Sequence, residues 1–505
     1  MTGVSEEYDV IVVGSGGGAL TAAWTAARSG LEVLVAEATP LYGGTTAYSG
    51  GGMWFAGNRL VREATGEGAE SAADYFRAVV GDRTPRDLQD AFLEAGAEVV
   101  DMLLEDDAIE LEAFWWPDYF GAVDGAAEIR QVRPLPLAAS DLGELATALR
   151  PPLKVDRAGV PRDPRLSGGQ ALIGRLLLAL SRHPNVTLCT DTPVTGLLAE
   201  AGAVSGVRVG EAREIGARRG VIVAAGGFER DAAMRAEHGV PGSVAGSMGT
   251  EGNRGLALRA AIELGADTDL MDQAWWSPGI EHPDGTTSFS LWFTGGIFVD
   301  TEGRRFVNES WPYDRIGRAI IDAQRAGSLG ERFWMIYDDR DGARPPVRST
   351  TLPLGETDDY RAAGLWHTAD SLTDLAGMIG LPAAALEESV ERFNRLAAEG
   401  SDPDFGRGDE PYDRAFSGGE SPMVPIEKGP FHAVAFGLSD LGTKGGLRTD
   451  VVGRVLDTSG EVIGGLYAAG NSMAAVSGTT YPGGGNPIAA GMVFGYLAAK
   501  DCAGD

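Results

Sequence analysis

The chain has 505 residues, 44% of them hydrophobic and 23% charged, and a net charge of −30 from 42 basic and 72 acidic side chains. That composition is globular, the acidic balance opposes nucleic acid and anionic membrane surfaces, and the length exceeds a single hydrophobic core. Two cysteines, Cys189 and Cys502, and five scattered histidines supply neither a disulfide framework nor metal-ligand spacing, so no metal is expected.

The opening MTGVSEE is polar and acidic, without the cationic start and apolar run of a leader, which predicts a cytoplasmic protein. Tyr8 to Val13 is a β-branched run suited to a strand buried on both faces. It leads into Gly14-Ser15-Gly16-Gly17-Gly18-Ala19, which satisfies G-x-G-x-x-G/A. A helix follows to Gly30, then a second strand from Leu31 to Ala36, ending on Glu37. Strand, turn, helix, strand and terminal acid in this order define a dinucleotide site. The glycines let the backbone approach a pyrophosphate, the helix N-terminus offers N–H groups to its charge, and Glu37 stands where an acid binds ribose hydroxyls. The acid argues against NADP; this unit leaves NAD and FAD open.

Gly43 to Gly52 combines glycines with hydroxyls, as a loop along a cofactor would. Helical periodicity runs from about Ala72 to Glu105, and an aromatic block spans Phe114 to Phe120. Gly168 to Ser181 reads as a helix; its Ala171–Leu180 stretch is too short for a membrane span and carries Arg175. Strand and turn are predicted for Asn185–Gly196, and strands for Ala203–Val209 and Gly220–Ala225. From Gln273 to Leu438 the texture shifts to tryptophans, prolines and charged turns, as in an inserted domain, with Ser401–Gly419 as an exposed loop. Val462 to Asn471 contains another buried strand. Gly483-Gly484-Gly485-Asn486-Pro487 then precedes an apolar helix, with Asn486 expected as its N-cap and Pro487 at its first position.

In these features the chain resembles the FAD-dependent fumarate reductase/succinate dehydrogenase flavoprotein superfamily from Tyr8 to Ala499, and within it the 3-ketosteroid Δ1-dehydrogenases. The motifs are the nucleotide turn, Gly43–Gly52, the Phe114–Tyr119 block, Arg305–Tyr313, Leu441–Leu447 and Gly478–Gly485. The resemblance implies FAD as cofactor. It also implies an α/β architecture, with a Rossmann-like FAD-binding domain (1–272 and 441–505) interrupted by an α+β substrate-capping catalytic domain (273–440). Cofactor contacts are implied at Gly14, Ser15, Gly16, Gly17, Gly18, Ala19, Glu37, Gly44, Thr45, Thr46, Ser49, Gly50, Gly51, Val194, Gly470, Asn471, Pro487 and Ile488.

The family's three tyrosines and glycine amide fall on Tyr119, Tyr313, Tyr481 and Gly485. Carried over, Tyr481 and the Gly485 N–H would grip the ketone oxygen of a 3-ketosteroid as an oxyanion hole does. Tyr313 would take the C2 proton, and Tyr119, hydrogen-bonded to it, would help a phenol whose ordinary pKa is about 10. The hydride from C1 would pass to FAD, with a quinone- or dye-like external acceptor reoxidising it. Trp115, Trp116, Trp292 and Phe293 suit a flat apolar substrate, and Trp116 and Phe293 are the lining candidates. The chain departs from many relatives at Gly484 and Asn486, where pocket shape could change, and in Ala474–Ser477. Rival readings are a fumarate reductase-like or other α,β-desaturase, a Δ4-(5α)-ketosteroid dehydrogenase, and a non-catalytic flavin carrier. The Gly478–Gly491 block has no His or Arg to hold a dicarboxylate, and a carrier has no use for a proton-abstracting site.

Overall fold

The computed structural model describes residues 6–340, 342–417 and 421–504, so the leader expectation, drawn largely from residues 1–5, falls outside the described residues. The chain packs as two compact units. One contains Met1–Val240, Gly249–Ala274 and Gly442–Asp505; the other contains Pro241–Met248 and Trp275–Leu441. Nothing in the sequence texture marks Pro241–Met248 as part of the second unit. It belongs there through backbone pairing: the Met248 N–H donates to Asp440 O at 2.8 Å and Ser439 Oγ to Gly246 O at 2.7 Å.

The first unit is built on a sheet ordered Arg454–Leu456, Val462–Ala468, Ala203–Val209, Arg213–Val223, Glu7–Val13, Val33–Ala36 and Val186–Cys189, with Val194–Glu200 paired to Ala203–Val209. Glu7–Val13 pairs in parallel with Arg213–Val223 on one side and with Val33–Ala36 on the other. Val10 to Val13 are buried, as a strand covered on both faces requires. The second strand starts at Val33 rather than Leu31, because Gly30 and Leu31 still donate to Ala27 and Ala26 in closing the helix Gly17–Arg28. The Gly220–Ala225 strand is longer than periodicity suggests, Arg213–Val223, since its first half forms an antiparallel hairpin with Ala203–Val209. The helical stretch near 72–105 is two helices, Ala69–Val80 and Arg86–Leu103, broken by Gly81 at φ 62° and by Pro85. The final helix, Asn486–Ala503, packs on Gly17–Arg28 with backbone in close approach, Gly495 opposite the Gly18 carbonyl. Asn486 is not its cap: that place falls to Gly485 in a left-handed conformation, so Asn486 lies in the first turn. Among the described residues no helix is long and apolar enough to cross a membrane. Arg175 is buried within its helix and served by the carbonyls of Ala108 and Leu135 and by Glu110.

The second unit holds a sheet ordered Ile297–Val299, Phe333–Asp338, Phe431–Thr443, Ala274–Glu281, Thr287–Phe293 and Val347–Thr350, with Trp366–Ala369 also on Phe431–Thr443. Ile297, Val299, Ile336, Leu375, Leu386, Phe393 and Ala433 share its core. The stretch expected as an exposed loop, Ser401–Gly419, is not one within its described part, since Asp402, Arg407, Tyr412 and Asp413 are buried; Gly418 and Gly419 lie outside the described residues. Sequence polarity misleads here because the charges pair inward. Arg305 binds Glu309 at 2.9 Å and Asp402 at 2.8 Å, and Arg407 binds Glu309 at 3.0 Å and the Gly296 carbonyl at 2.7 Å. These pairs fasten the Arg305–Tyr313 segment to the sheet edge.

Asp413 accepts from Asn308 Nδ2 and from the Gly408 N–H, both at 3.0 Å, while its other oxygen is buried without a partner among the described residues. Burial pushes its carboxyl up to about 6, against the opposing Asn308 bond. A raised carboxyl retains its proton longer in the folded state, so its favourable contribution is present below the unfolded pKa and is lost as pH rises through about 6. Asp413→Asn, permanently neutral, is expected to gain stability over the parent as pH rises from about 5 to about 8, by about 2 kcal/mol at most. Paired thermal melts at the two pH values measure it.

Candidate active site

The nucleotide turn sits at the carboxyl end of Glu7–Val13. The Gly14 N–H donates to Ala36 O at 2.9 Å, and the helix opens at Gly17 with Gly16 before it and no side-chain cap. Its first-turn N–H groups are thus available to a phosphate, apart from the Gly17 N–H, which donates to Thr46 Oγ1 at 3.1 Å. Gly18, half-buried, and Ala19, buried, lie in the first turn of the helix. Ser15 Oγ donates to Glu37 at 2.5 Å and accepts the Gly43 N–H at 2.9 Å. Glu37 also accepts from the Thr39 N–H and hydroxyl, which holds the acid at the tip of the second strand.

A single turn of 3₁₀ helix, Gly44–Tyr48, carries Thr45 and Thr46. Ser49 Oγ ties the Thr46 carbonyl to the Gly51 N–H across Gly50, at 2.7 and 3.1 Å. Ile488 and Thr46 both come within 3.5 Å of the Cβ position of Gly17, so the nucleotide turn, the hydroxyl loop and the final helix meet. Pro487 and Ile488 lie in that helix's first turn; Gly470 and Asn471 lie in the short turn Gly470–Ser472, where Gly470 faces Gly491. Val194, buried, begins the strand Val194–Glu200.

These residues fit a flavin dinucleotide. Asn486 is 1% exposed, and neither polar atom of its carboxamide has a partner among the described residues. An unserved donor and acceptor at the positive end of an 18-residue helix suit the polar edge of an electron-accepting ring. Sequence reasoning missed a supporting network. Asn253 Nδ2 donates to Thr45 Oγ1 at 2.9 Å and to Glu229 at 2.5 Å, while buried Glu229 accepts the Thr443 N–H at 3.2 Å. Asn253 lies 208 positions from Thr45 and Thr443 lies 214 from Glu229, and no local signal joins them.

Tyr119, Tyr481 and Gly485 come together in the first unit. The rings of Tyr119 and Tyr481 meet edge to face with centroids 5.1 Å apart, and the Gly485 N–H points at Tyr481 Oη from 3.4 Å. That hydrogen bond is long, so both donors can turn to one incoming oxygen. Gly485 is required twice over: its φ is 81°, and a Cβ would lie 2.1 Å from Gly52 O. The segment before Tyr119 is fixed by burial. Asp118 accepts from Trp54 Nε1 at 2.8 Å and from Arg130 at 2.5 Å, with Arg130 also paired to Glu67 and bonded to Gly125 O. Burial, opposed by Arg130, pushes the Asp118 carboxyl up to about 6.

Tyr313 belongs to the second unit, at the start of the helix Tyr313–Arg325. The ring beside it is Phe289, at 4.8 Å, whereas Phe293 packs edge to face on Phe298 and Phe436 as a core residue. Trp116 is half-buried, 5.8 Å from Phe114, and Trp115 is exposed with its indole N–H on Glu128. Trp292 takes φ 64°, rare for an aromatic residue, and stacks on Phe416 at 4.5 Å.

This is the arrangement of an FAD-dependent oxidoreductase, and residues 9–488 match the FAD binding domain family. The chain is 36% identical to the 3-oxosteroid 1-dehydrogenase of Mycolicibacterium smegmatis, over 100% of this chain and 98% of that relative. It is 35% identical to the 4-oxocyclohexanecarboxylate 2-dehydrogenase of Sinomonas cyclohexanicum, over 98% and 93%. The crystal structure of 3-ketosteroid Δ1-dehydrogenase from Sterolibacterium denitrificans, in complex with 1,4-androstadiene-3,17-dione, superimposes with a TM-score of 0.89 at 32% identity, covering 99% of this chain and 100% of that one. The chain belongs to the 3-oxosteroid 1-dehydrogenase family of FAD-dependent dehydrogenases. Gly485→Ala is expected to cost about 3 kcal/mol or more through the contact with Gly52, read as a fall in melting temperature together with lost flavin content.

Proposed function

We propose that the protein introduces the C1–C2 double bond of 3-ketosteroids. The observation that carries this reading is the convergence of Tyr481 Oη and the Gly485 N–H, 3.4 Å apart. Two donors so placed hold a ketone oxygen and stabilise the enolate-like charge that grows on it as the neighbouring C–H breaks. Tyr313 takes the C2 proton, and Tyr119 assists it by passing the proton on. The chemistry that FAD supplies when bound is acceptance of the C1 hydride and delivery of the electron pair to an external quinone- or dye-like acceptor. The 18 residues assigned above to the cofactor hold it, with Glu37 at the ribose and the helix Gly17–Arg28 at the pyrophosphate. Trp116 lines the substrate site, and Phe289 replaces Phe293 as the aromatic neighbour of the base. A cytoplasmic location completes the proposal.

The near-equal identity to a dehydrogenase named for 4-oxocyclohexanecarboxylate favours one second reading, the same α,β-desaturation on a smaller ring ketone. Anaerobic mixing of the holoprotein with androst-4-ene-3,17-dione is expected to bleach the flavin and yield the 1,4-diene by mass spectrometry and NMR. Bleaching by 4-oxocyclohexanecarboxylate alone supports the second reading, and an alkene at C4–C5 refutes the first. Tyr481→Phe should slow flavin reduction by about two to three decades, as loss of one oxyanion donor does, in stopped-flow absorbance.

A further inference from the structure

Gly484 stands inside the strip that carries the two ketone donors, and its surroundings are polar. A Cβ built on it falls 2.8 Å from Trp116 Nε1, 3.1 Å from Gln131 Nε2 and 3.1 Å from Tyr119 Oη. Three hydrogen-bonding atoms thus converge on one point, which only a residue without a side chain leaves to them. A point at given distances from three atoms has a twin, reflected through the plane of those atoms. An oxygen seated on the face away from Gly484 would reach all three at the same separations.

Gln131 lies in the strand Ile129–Pro134, paired opposite Trp54 and Phe114, and is buried. Its Nε2 has no hydrogen-bond partner among the described residues. Native proteins serve nearly all such buried N–H groups, from the chain or from ordered water. At these atoms Trp116 and Gln131 can only donate, whereas a tyrosine hydroxyl donates or accepts. An oxygen between them takes two N–H bonds, and a water so placed becomes a stronger donor to the third partner.

Resting on the assignment of Tyr119 as the helper of proton abstraction, we infer that Gln131 is a positioning residue for that proton transfer: with Trp116 it seats an ordered water across Gly484, and the water donates to the Tyr119 hydroxyl. Donation to the phenol oxygen favours its ionised form and makes Tyr119 readier to hand a proton on. The other titratable groups packed about Tyr119 in this unit are Tyr481, Asp118 beside it in the chain, and Tyr75, which shares the Pro482 carbonyl with it. Their variants serve as controls.

Two measurements test the inference. A crystal structure of the flavin-loaded protein is expected to show an oxygen within hydrogen-bonding reach of Gln131 Nε2, Trp116 Nε1 and Tyr119 Oη, and none in Gly484→Ala, whose Cβ would force those three atoms apart. Its absence from the wild type overturns the inference. In stopped-flow flavin reduction by androst-4-ene-3,17-dione, Gln131→Met, which keeps the shape but not the donor, should lower the limiting rate about tenfold and move its pH midpoint up by about one unit. Steroid affinity should stay within about twofold, because the ketone clamp is untouched. An unchanged pH profile at full flavin content overturns the role. A fall in steroid affinity alone assigns the oxygen to the substrate and also overturns it. If the wild-type flavin stays oxidised with the steroid, the substrate assignment fails, and the electron density still judges the water.

Discussion

The carbonyl of Pro482 holds together the strip that carries Tyr119, Tyr481 and Gly485. It accepts the Tyr119 N–H at 2.9 Å and the Tyr75 hydroxyl at 2.5 Å, and the same hydroxyl accepts the Phe120 N–H at 3.2 Å. Three segments far apart in sequence are thereby locked at one atom: the helix Ala69–Val80, the aromatic block and the triglycine. This point ties the Tyr119 segment to the Tyr481–Gly485 segment. A buried carbonyl with two donors cannot drift without leaving polar groups unserved, so the strip is rigid by hydrogen-bond accounting rather than by mass of packing.

Charge reinforces that lock from beneath. Asp118 and Arg130 are each about 1% exposed, and the guanidinium lies over the rings of Trp54 and Tyr75 at 5.6 and 5.2 Å. Replacing such a pair with apolar groups is often neutral in stability, whereas removing one partner strands a buried charge. Its value here is directional. Asp118 takes donors from Trp54, Arg130 and the Ala127 N–H at once, which fixes the backbone one residue before Tyr119. In the second unit the Arg305, Arg407, Glu309 and Asp402 cluster does the same for the approach to Tyr313.

Local patterns carried much of this structure in the sequence. The nucleotide unit was legible because strand, turn and helix follow one another without interruption, and Gly168–Ser181 because its apolar periodicity is unbroken. The three tyrosines were legible only through resemblance, since a tyrosine alone reads as a packing residue. What failed did so for physical reasons. Ser401–Gly419 looked solvated because its charges pair inward, and Asn486 looked like a cap because the left-handed glycine before it takes that place. Phe293 packs edge to face on Phe298 and Phe436, a placement that composition does not encode. Gln131, Asn253 and Glu229 gave no signal, because polar residues declare themselves only once their distant partners are in place.

The close packing of Gly17–Arg28 on Asn486–Ala503 joins an early-made helix to one made much later. During synthesis the dinucleotide turn emerges first, yet Ile488 and the parallel strand Val462–Ala468 arrive only after the intervening 275–441 unit has left the ribosome. The first unit therefore completes its sheet only after the middle unit has been made and is free to fold. A nascent chain halted before residue 462 has its nucleotide turn exposed and its sheet edge unpaired. Such an unpaired edge is what chaperones shield in a cell.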